Sequence, residues 1–392
     1  MKKNINIAIV GFGNIGGYFY KTLLNKKKWI ESKTNKSISI NYISAKSLNK
    51  KRKISIPKSL WIKNPLSLCT KKDVDIIIEL VGGAEGVAKK LVFTALKNKK
   101  HVITANKSLL AKYGDELSLI AEKNRVNLEF EASVAGGIPV IRSIKDGLIA
   151  NKINKVYGIL NGTTNYILSE MEKENKDFTV VLNEAKKLGF AESNPFYDLS
   201  GNDAADKIRI LSALAFNKTI SKNKILTSGI QSINLSDIKY AKDLGYKIKL
   251  LAISEIINNR LAERVHPSLV SKKSYIANIS GVLNAVIIDS VPLGRTVIQG
   301  EGAGPGPTTS ALISDLCNIL RSGIKLPFGI SNKIRKKINN FNISNHLTSA
   351  YLRIEVKDLS GVLSSITKSF TKNKISIKNL VQVPNKKNKK AS

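Results

Sequence analysis

Between residues 185 and 207 the chain gathers acids and a lysine around turn-forming pairs: Glu192, Asp198, Asp203 and Lys207, with Asn194-Pro195 and Ser200-Gly201 among them. Asp203 and Lys207 stand four apart, so on a helix they share one face. Asp203 also falls where a carboxylate favours a helix N-terminus. The plainest account is a capped helix with a surface ion pair, worth only about 0.3–0.5 kcal/mol. An acid-rich loop in a chain of net charge +35 argues for more; the cluster is suited to holding an ammonium group. A second lysine, Lys107, follows the short apolar run His101-Val-Ile-Thr104, and Thr104 and Asn106 are small polar groups able to fix it. A lysine just past a parallel strand lies at the sheet edge where ligands bind in α/β folds. With 64 Lys plus Arg in the chain, one lysine alone proves little.

A different chemistry is written into Gly11-Phe12-Gly13-Asn14-Ile15-Gly16. The segment lies between a β-branched run, Ile5-Asn-Ile-Ala-Ile-Val10, and a helical pattern through Tyr18, Phe19, Leu23 and Leu24. That context is the one a dinucleotide-binding turn requires: Gly11 for the tight turn, Gly13 for close approach of a pyrophosphate, Gly16 for helix-on-strand packing. The helix N-terminus then offers N–H groups and a positive dipole to the phosphates. A second strand over 38–43 ends at Ala45 and Lys46, with Lys50, Lys51 and Arg52 nearby and no acid. An NAD-selective site usually has an acid there for the ribose 2′-hydroxyl. NADPH is therefore the expected cofactor, with NADH use left open; the same lysines also fit the general surface excess.

The elements that must position these groups follow from the pattern. Strands are expected over 5–10, 38–43, 74–81, 101–104 and 126–130, alternating with helices, the later of them over 84–98 and 108–124. This is a parallel sheet with right-handed crossovers. From 139 to 295 the texture changes to α+β, with helices over 166–174, 179–188 and 203–216 and strands over 155–160, 248–255, 262–265 and 285–289. A Gly/Pro loop over 300–309 leads into a helix over 310–321. The expected division is a Rossmann-type domain over 1–138, completed by about 296–330, and an α+β catalytic and dimerisation domain over 139–295. A linker over 331–349, a partial module over 350–384 and a basic disordered tail over 385–392 follow.

Composition excludes several classes. The chain has 392 residues, 42% of them hydrophobic, enough for two or three cores and too many for a disordered chain. Two distant cysteines, Cys69 and Cys317, rule out a disulfide scaffold or a Cys-based zinc cluster and fit a reducing, cytoplasmic setting. The first apolar run is too short for a signal peptide, and no stretch of about 20 apolar residues exists to span a membrane. The basic residues are mostly lysines spread along the chain rather than an Arg-rich, aromatic-laced patch, so no nucleic-acid partner is expected.

The 185–207 segment resembles the signature of the homoserine dehydrogenase family. The blocks over 76–83, 102–111, 131–139, 158–165 and 301–308 are similar to family blocks in the same order, so the resemblance extends over about 4–321. It implies hydride transfer between a nicotinamide cofactor and the L-homoserine/L-aspartate 4-semialdehyde pair, in the pathway to threonine, methionine and isoleucine. By the same resemblance Lys207 is the proton donor, Lys107 stands at the junction of nicotinamide and substrate, and Asp203 orients Lys207. Glu192 and Asp198 hold the substrate's amino end, and Gly162 and Thr163 line it. The implied cofactor contacts are Gly11, Phe12, Gly13, Asn14, Ile15, Gly16, Ala45, Lys46, Gly82, Thr104, Lys107 and Gly302. A monovalent cation, Na+, is implied on the backbone carbonyls of Glu131, Val134, Gly136 and Ile138. A homodimer is implied as well.

Residues 350–370, with Asp358-Leu-Ser-Gly361 and a following strand over 375–381, resemble the first half, βαβ, of an ACT regulatory domain. Because the second half is missing, threonine inhibition is expected to be weak or absent. Two other readings are weaker. Aspartate-semialdehyde dehydrogenase chemistry needs an activated Cys nucleophile, and neither cysteine sits beside a base in sequence. A basic nucleic-acid- or metabolite-sensing protein leaves the 192–207 block unexplained. A kinase–dehydrogenase fusion is not expected at this length.

Overall fold

The computed structural model describes residues 4–47 and 54–382, together with the backbone of Pro384–Asn385 and Lys390–Ala391. It divides into two compact units, Met1–Ser344 and Asn345–Ser392.

In the first unit, β1 (Asn4–Val10), β2 (Ser37–Ser44), β3 (Ile76–Glu79), β4 (His101–Thr104) and β5 (Leu128–Glu129) form a parallel sheet in the order β2-β1-β3-β4-β5. Their β-branched runs suit a sheet covered on both faces, and every residue of β3 is fully buried. The helices α1 (Asn14–Thr34), α2 (Val87–Lys97) and α3 (Lys107–Asn124) carry the crossovers. α1 turns Phe19, Tyr20 and Leu23 onto one face. α2 and α3 bring Leu91, Leu96, Leu109 and Leu117 to the other, each such side chain contributing roughly 1.5–3 kcal/mol on burial. Strand order reverses between β1 and β3, so a crevice opens at their C-terminal ends, where ligands bind in open parallel sheets.

After β5 the chain passes through a buried loop and the one-turn α4 (Val140–Arg142) into a second layer. There β6 (Lys152–Ile159), β7 (Leu226–Thr227), β8 (Tyr246–Ile257), β9 (Arg260–Ser271), β10 (Leu283–Val291) and β11 (Gly294–Glu301) form a mixed sheet in the order β11-β10-β6-β8-β9-β7. Helices α5 (Gly162–Glu174), α6 (Phe178–Lys187), α7 (Phe196–Leu199), α8 (Asn202–Ala215) and α9 (Leu235–Asp243) accompany it. α10 (Pro305–Arg321) then returns to the parallel sheet, packing Leu312, Leu316 and Leu320 beside α1. Several elements differ from expectation: α7, α9 and β7 were not foreseen, and β9 runs well past 262–265. α5 starts at Gly162 rather than 166, because the Asn161 side chain accepts the Thr164 N–H and caps it. α10 starts at Pro305, a residue preorganised for a first turn. β11 was not expected at all: its glycines and exposed alternate residues give an edge strand little apolar signal.

The first part of the expected linker, residues 331–341, is built into this unit. Leu261 N–H donates to the Asn339 carbonyl and Phe341 N–H to the Leu261 carbonyl, forming a short parallel bridge, and the buried Arg335 donates twice to the Lys218 carbonyl. Arg335 also pairs with Asp115 at 2.7 Å and lies over the Phe328 ring. A planar guanidinium suits this mixture of fork and stack.

The second unit contains β12 (Val356–Lys357), α11 (Val362–Lys372), β13 (Pro384–Asn385) and β14 (Lys390–Ala391), the strands in the order β12-β14-β13. The expected helix is present. The expected strands are not: of 350–356 only the last residue is in a strand, and 375–381 has none. Leu352, Ile354, Ile375, Ile377 and Leu380 stand exposed. Alternating apolar residues hold a strand only when neighbouring strands or a covering layer use them. Residues 1–3 and 48–53 and most of the 385–392 tail lie outside the described residues. Among the described residues, no helix is long and apolar enough to cross a membrane.

Candidate active site

Lys107 is placed by a chain of hydrogen bonds at the C-terminal edge of the parallel sheet. Glu79, the fully buried last residue of β3, accepts the Val81 and Gly82 N–H groups at 2.8 and 2.9 Å and the Thr104 hydroxyl at 2.5 Å. Thr104 in turn accepts the Asn106 N–H, and Asn106 donates to the Gly83 carbonyl and caps α3 through Leu109 N–H. Lys107 is the first residue of the helix so fixed. Thr104 thus spends its side chain inside the protein, holding the two loops together.

The centre of the site is Asp203, 2% exposed in the first turn of α8. One carboxylate oxygen lies 2.8 Å from Lys107 Nζ and the other 2.7 Å from Lys207 Nζ. Asn161 Nδ2 donates to the second oxygen at 2.8 Å and to Asp198 at 2.9 Å. Lys207, itself buried, also donates to the Leu160 carbonyl at 2.7 Å. Burial would push the Asp203 carboxyl up, but the ammonium groups of Lys207 and Lys107, with the Asn161 amide, hold it well below the usual carboxylate range. Burial works against the Lys107 charge, yet Asp203, and more distantly Asp198 and Asp206, keep its pKa above the ordinary lysine value. Asp198 is raised, by burial first and by the Asp203 charge second. Two cations from distant stretches therefore meet on one buried anion beside a partly desolvated second acid. Such a group can present an ammonium proton to an oxygen that becomes negative, and keep that donor charged near neutrality.

Thr163, at the start of α5, donates to the Phe190 carbonyl at 2.7 Å and lies 3.5 Å from Asp198. Gly162 backs onto the Val282 carbonyl with no room for a side chain, a Cβ there falling 2.7 Å from that oxygen. Glu192 stands apart: it is exposed on the turn after α6 and makes no hydrogen bond or ion pair among the described residues. Sequence reasoning missed Asn161 and the Leu160 carbonyl. An Asn before a helix signals only a cap, and a main-chain acceptor has no side-chain signature. The two cysteines do not enter. Burial raises both thiols, that of Cys69 to about 11, which leaves neither as a ready thiolate.

The Gly-rich turn has the shape a dinucleotide needs. Gly11 has φ +99°, and a Cβ on it would lie 2.5 Å from the Leu80 backbone. A Cβ on Gly16 would lie 2.2 Å from the Gly11 carbonyl, whereas Gly13 faces open space. Tight packing below and clearance above, at a helix N-terminus, form a cradle for phosphate. Phe12 is buried edge-on against Tyr20 and Trp61, which anchors the turn, while Asn14 and Ile15 open α1. Ala45 and an exposed Lys46 follow β2; Lys50, Lys51 and Arg52 lie outside the described residues. Gly82 has φ +82° with open space around it.

The loop after β5 carries Glu131, Val134, Gly136 and Ile138. Its Glu131 carboxylate accepts the Ile141 and Arg142 N–H groups, and its Glu131 N–H donates to Asp315. Ala135 and Gly136 both have positive φ, and a Cβ on Gly136 would lie 2.4 Å from the Gly302 carbonyl. The Glu131 and Ile138 carbonyls accept one backbone N–H each, from Val134 and Val140, which leaves each a second lone pair. A rigid, buried loop with spare carbonyl oxygens is compatible with a hard cation.

The chain is similar to known proteins. A family model described as homoserine dehydrogenase matches residues 139–317, and one described as homoserine dehydrogenase, NAD binding domain, matches residues 11–131. Homoserine dehydrogenase of Neisseria gonorrhoeae is 39% identical over 386 residues, covering 97% of this chain and 88% of the relative. That of Helicobacter pylori is 38% identical over 392 residues, covering 97% and 89%. The crystal structure of a homoserine dehydrogenase from Thiobacillus denitrificans matches with a TM-score of 0.90 at 34% identity, covering 100% of this chain and 90% of that one. With its Lys–Asp–Lys centre set at the edge of a nicotinamide-binding sheet, the chain belongs to the homoserine dehydrogenase family of NAD(P)-dependent oxidoreductases.

Proposed function

We propose that Lys207 is the proton donor and acceptor at the terminal oxygen of homoserine or aspartate 4-semialdehyde, and that Lys107 stabilises charge on the same side. The observation that carries this is the convergence of both Nζ atoms on the two oxygens of Asp203. The bound nicotinamide supplies or accepts the hydride. Asp203 keeps Lys207 oriented, so that in the reductive direction its proton meets the alkoxide-like oxygen. Asn161 fixes the distance between Asp203 and Asp198. Asp198, with the exposed Glu192, receives the substrate's ammonium group, and Gly162 and Thr163 form the wall opposite. The test is purified protein with aspartate 4-semialdehyde, following loss of reduced-nicotinamide absorbance, for wild type and Lys207→Ala. Near-normal turnover of the variant overturns the assignment.

We also propose NADPH as the preferred cofactor, because the end of β2 presents Lys46 and no carboxylate among the described residues near a ribose 2′ position. Gly11, Gly13, Gly16 and the start of α1 hold the pyrophosphate, and Gly82, Lys107 and Gly302 border the ring end. The carbonyls of Glu131, Val134, Gly136 and Ile138 hold Na+; replacing sodium with choline at constant ionic strength should lower activity, and an unchanged rate refutes it. A homodimer formed through the mixed sheet is supported by exposed Val291 at the end of β10, Leu293 in the turn after it and Val297 on the edge strand β11, and light scattering decides it. The reaction is assigned to the cytoplasm, where the reduced cofactor is available.

A further inference from the structure

Three side chains beside the catalytic cluster form a triangle the mechanism above does not use. Tyr197 donates its hydroxyl to Asp206 Oδ2 at 2.5 Å, Ser108 donates to the same oxygen at 2.8 Å, and the two hydroxyl oxygens lie 3.3 Å apart. Each corner is the chain neighbour of an active-site residue: Ser108 of Lys107, Tyr197 of Asp198, Asp206 of Lys207. The corners come from three helices. Ser108 is on α3, which belongs to the parallel sheet; Tyr197 and Asp206 are on α7 and α8, which accompany the mixed sheet. Burial and the Asp206 carboxylate push the Tyr197 phenol above its ordinary value, so it stays a donor. Lys107 Nζ lies 6.0 Å from the Tyr197 ring centroid, so the triangle borders the reacting groups.

We propose that Ser108, Tyr197 and Asp206 are positioning residues that lock α3 against α7 and α8 and so set the placement of Lys107 on the Asp203 carboxylate. The Lys107–Asp203 pair spans the same two layers but ends in a flexible four-carbon chain. Its angle of approach depends on how α3 sits against α8. One carboxylate oxygen accepting two hydroxyls, one of them in a short charge-assisted bond, fixes that relation from a different direction. Hydride and proton transfer respond steeply to such placement, a displacement of about 1 Å costing as much as 10²-fold. The proposal rests on the assignment of Lys107 and Lys207 to the chemistry.

The experiment compares Asp206→Ala, Asp206→Asn, Ser108→Ala and Tyr197→Phe with wild type, and with Lys207→Ala as reference. Steady-state semialdehyde reduction, NADPH dissociation constants and melting temperatures are measured for each. Asp206→Ala should lose about 10-fold in kcat with NADPH affinity within about two-fold. Asp206→Asn, whose amide oxygen still accepts both hydroxyls, should recover to within about three-fold of wild type. Ser108→Ala and Tyr197→Phe should each lose less than Asp206→Ala, and they decide the matter should Asp206→Ala fail to fold. Wild-type kcat in Asp206→Ala, or in both hydroxyl variants, overturns the latch. A loss in Asp206→Asn equal to that in Asp206→Ala also overturns it, because charge rather than hydrogen-bond acceptance would then be the cause. With Lys207→Ala inactive, such a failure falls on the latch alone; an active Lys207→Ala removes the reading beneath it.

Discussion

Two of the buried lysines keep opposite company. Lys207 donates to the Asp203 carboxylate and to the Leu160 carbonyl. Lys249, on β8 and 2% exposed, donates to the Ile279 carbonyl at 2.6 Å, the Asn165 amide oxygen at 3.0 Å and the Ser169 hydroxyl at 3.4 Å, all of them neutral. Burial pulls Lys249 down to about 8, and neighbouring Lys247 pulls the same way. At the active site Lys107 goes the other way, held up by Asp203 against its own burial. The charge at the proposed catalytic centre thus has a carboxylate partner, as the buried Lys145 and Lys218 also do in Glu129 and Glu263. The charge at Lys249 serves to gather the 279–283 loop, through Asn165, behind Gly162. A buried ammonium is costly without a counter-charge, and the contrast locates where the molecule tolerates that cost.

The sharpest way to break this comparison is Lys207→Ala. Loss of a positioned proton donor should lower kcat about 10²–10⁴-fold while NADPH binding survives. Next comes Asp203→Asn, which leaves two cations on a neutral amide. It should destabilise the protein by about 3–5 kcal/mol, read as a lowered denaturant midpoint, and depress turnover as well. A variant as stable as wild type would show that Asp203 does not hold the centre together. The sign with pH follows from the depressed carboxyl: its contribution is fully present above its unfolded value of about 3.9 and is lost only as pH falls towards the lower folded value. Smaller again is Lys46→Glu, which sets a carboxylate where a 2′-phosphate is proposed. The KM for NADPH should rise roughly 10-fold with that for NADH little changed, since about 1.4 kcal/mol corresponds to one decade. Equal changes for both cofactors would remove Lys46 from the selectivity.

How much of this is legible in the sequence depends on whether function lies in side-chain pattern or in convergence. The parallel sheet announced itself through Ile/Val runs ending in glycines, and the Gly11 turn through glycine spacing set between a strand and a helix. The i, i+4 spacing of Asp203 and Lys207 was visible, but not that Lys107 closes on the same carboxylate 96 residues away in sequence; the family likeness, not local physics, brought them together. Asn161 was invisible because capping explains an Asn before a helix well enough. Lys249 was one among 64 basic residues, and only burial among neutral acceptors separates it from the rest. The 350–381 segment failed in the other direction. Its apolar alternation reads as two strands, yet β pairing needs partners that the sequence pattern of one segment cannot supply.

The smallest expected effect on turnover belongs to Lys249→Met, and it tests the other arm of the comparison. Because the folded pKa of Lys249 is depressed to about 8, the unfolded chain binds more protons than the folded one between that value and the unfolded value of about 10.4. Stability must therefore rise with pH across this window, by an amount on the order of 1–3 kcal/mol, and be flat with respect to this group below it. Lys249→Met abolishes the rise, so its stability curve should part from that of wild type between about pH 8 and 10. At neutral pH the removed charge and the acceptors left on Ile279, Asn165 and Ser169 act in opposite directions, each at about 1–3 kcal/mol. The net change there is small, and turnover should stay within about three-fold, since no reacting atom is touched. Denaturant unfolding at stepped pH reads the slope. Parallel curves for the two proteins would mean that Lys249 titrates alike folded and unfolded, and that neutral company is no harder on a buried lysine here than the carboxylate is at Asp203.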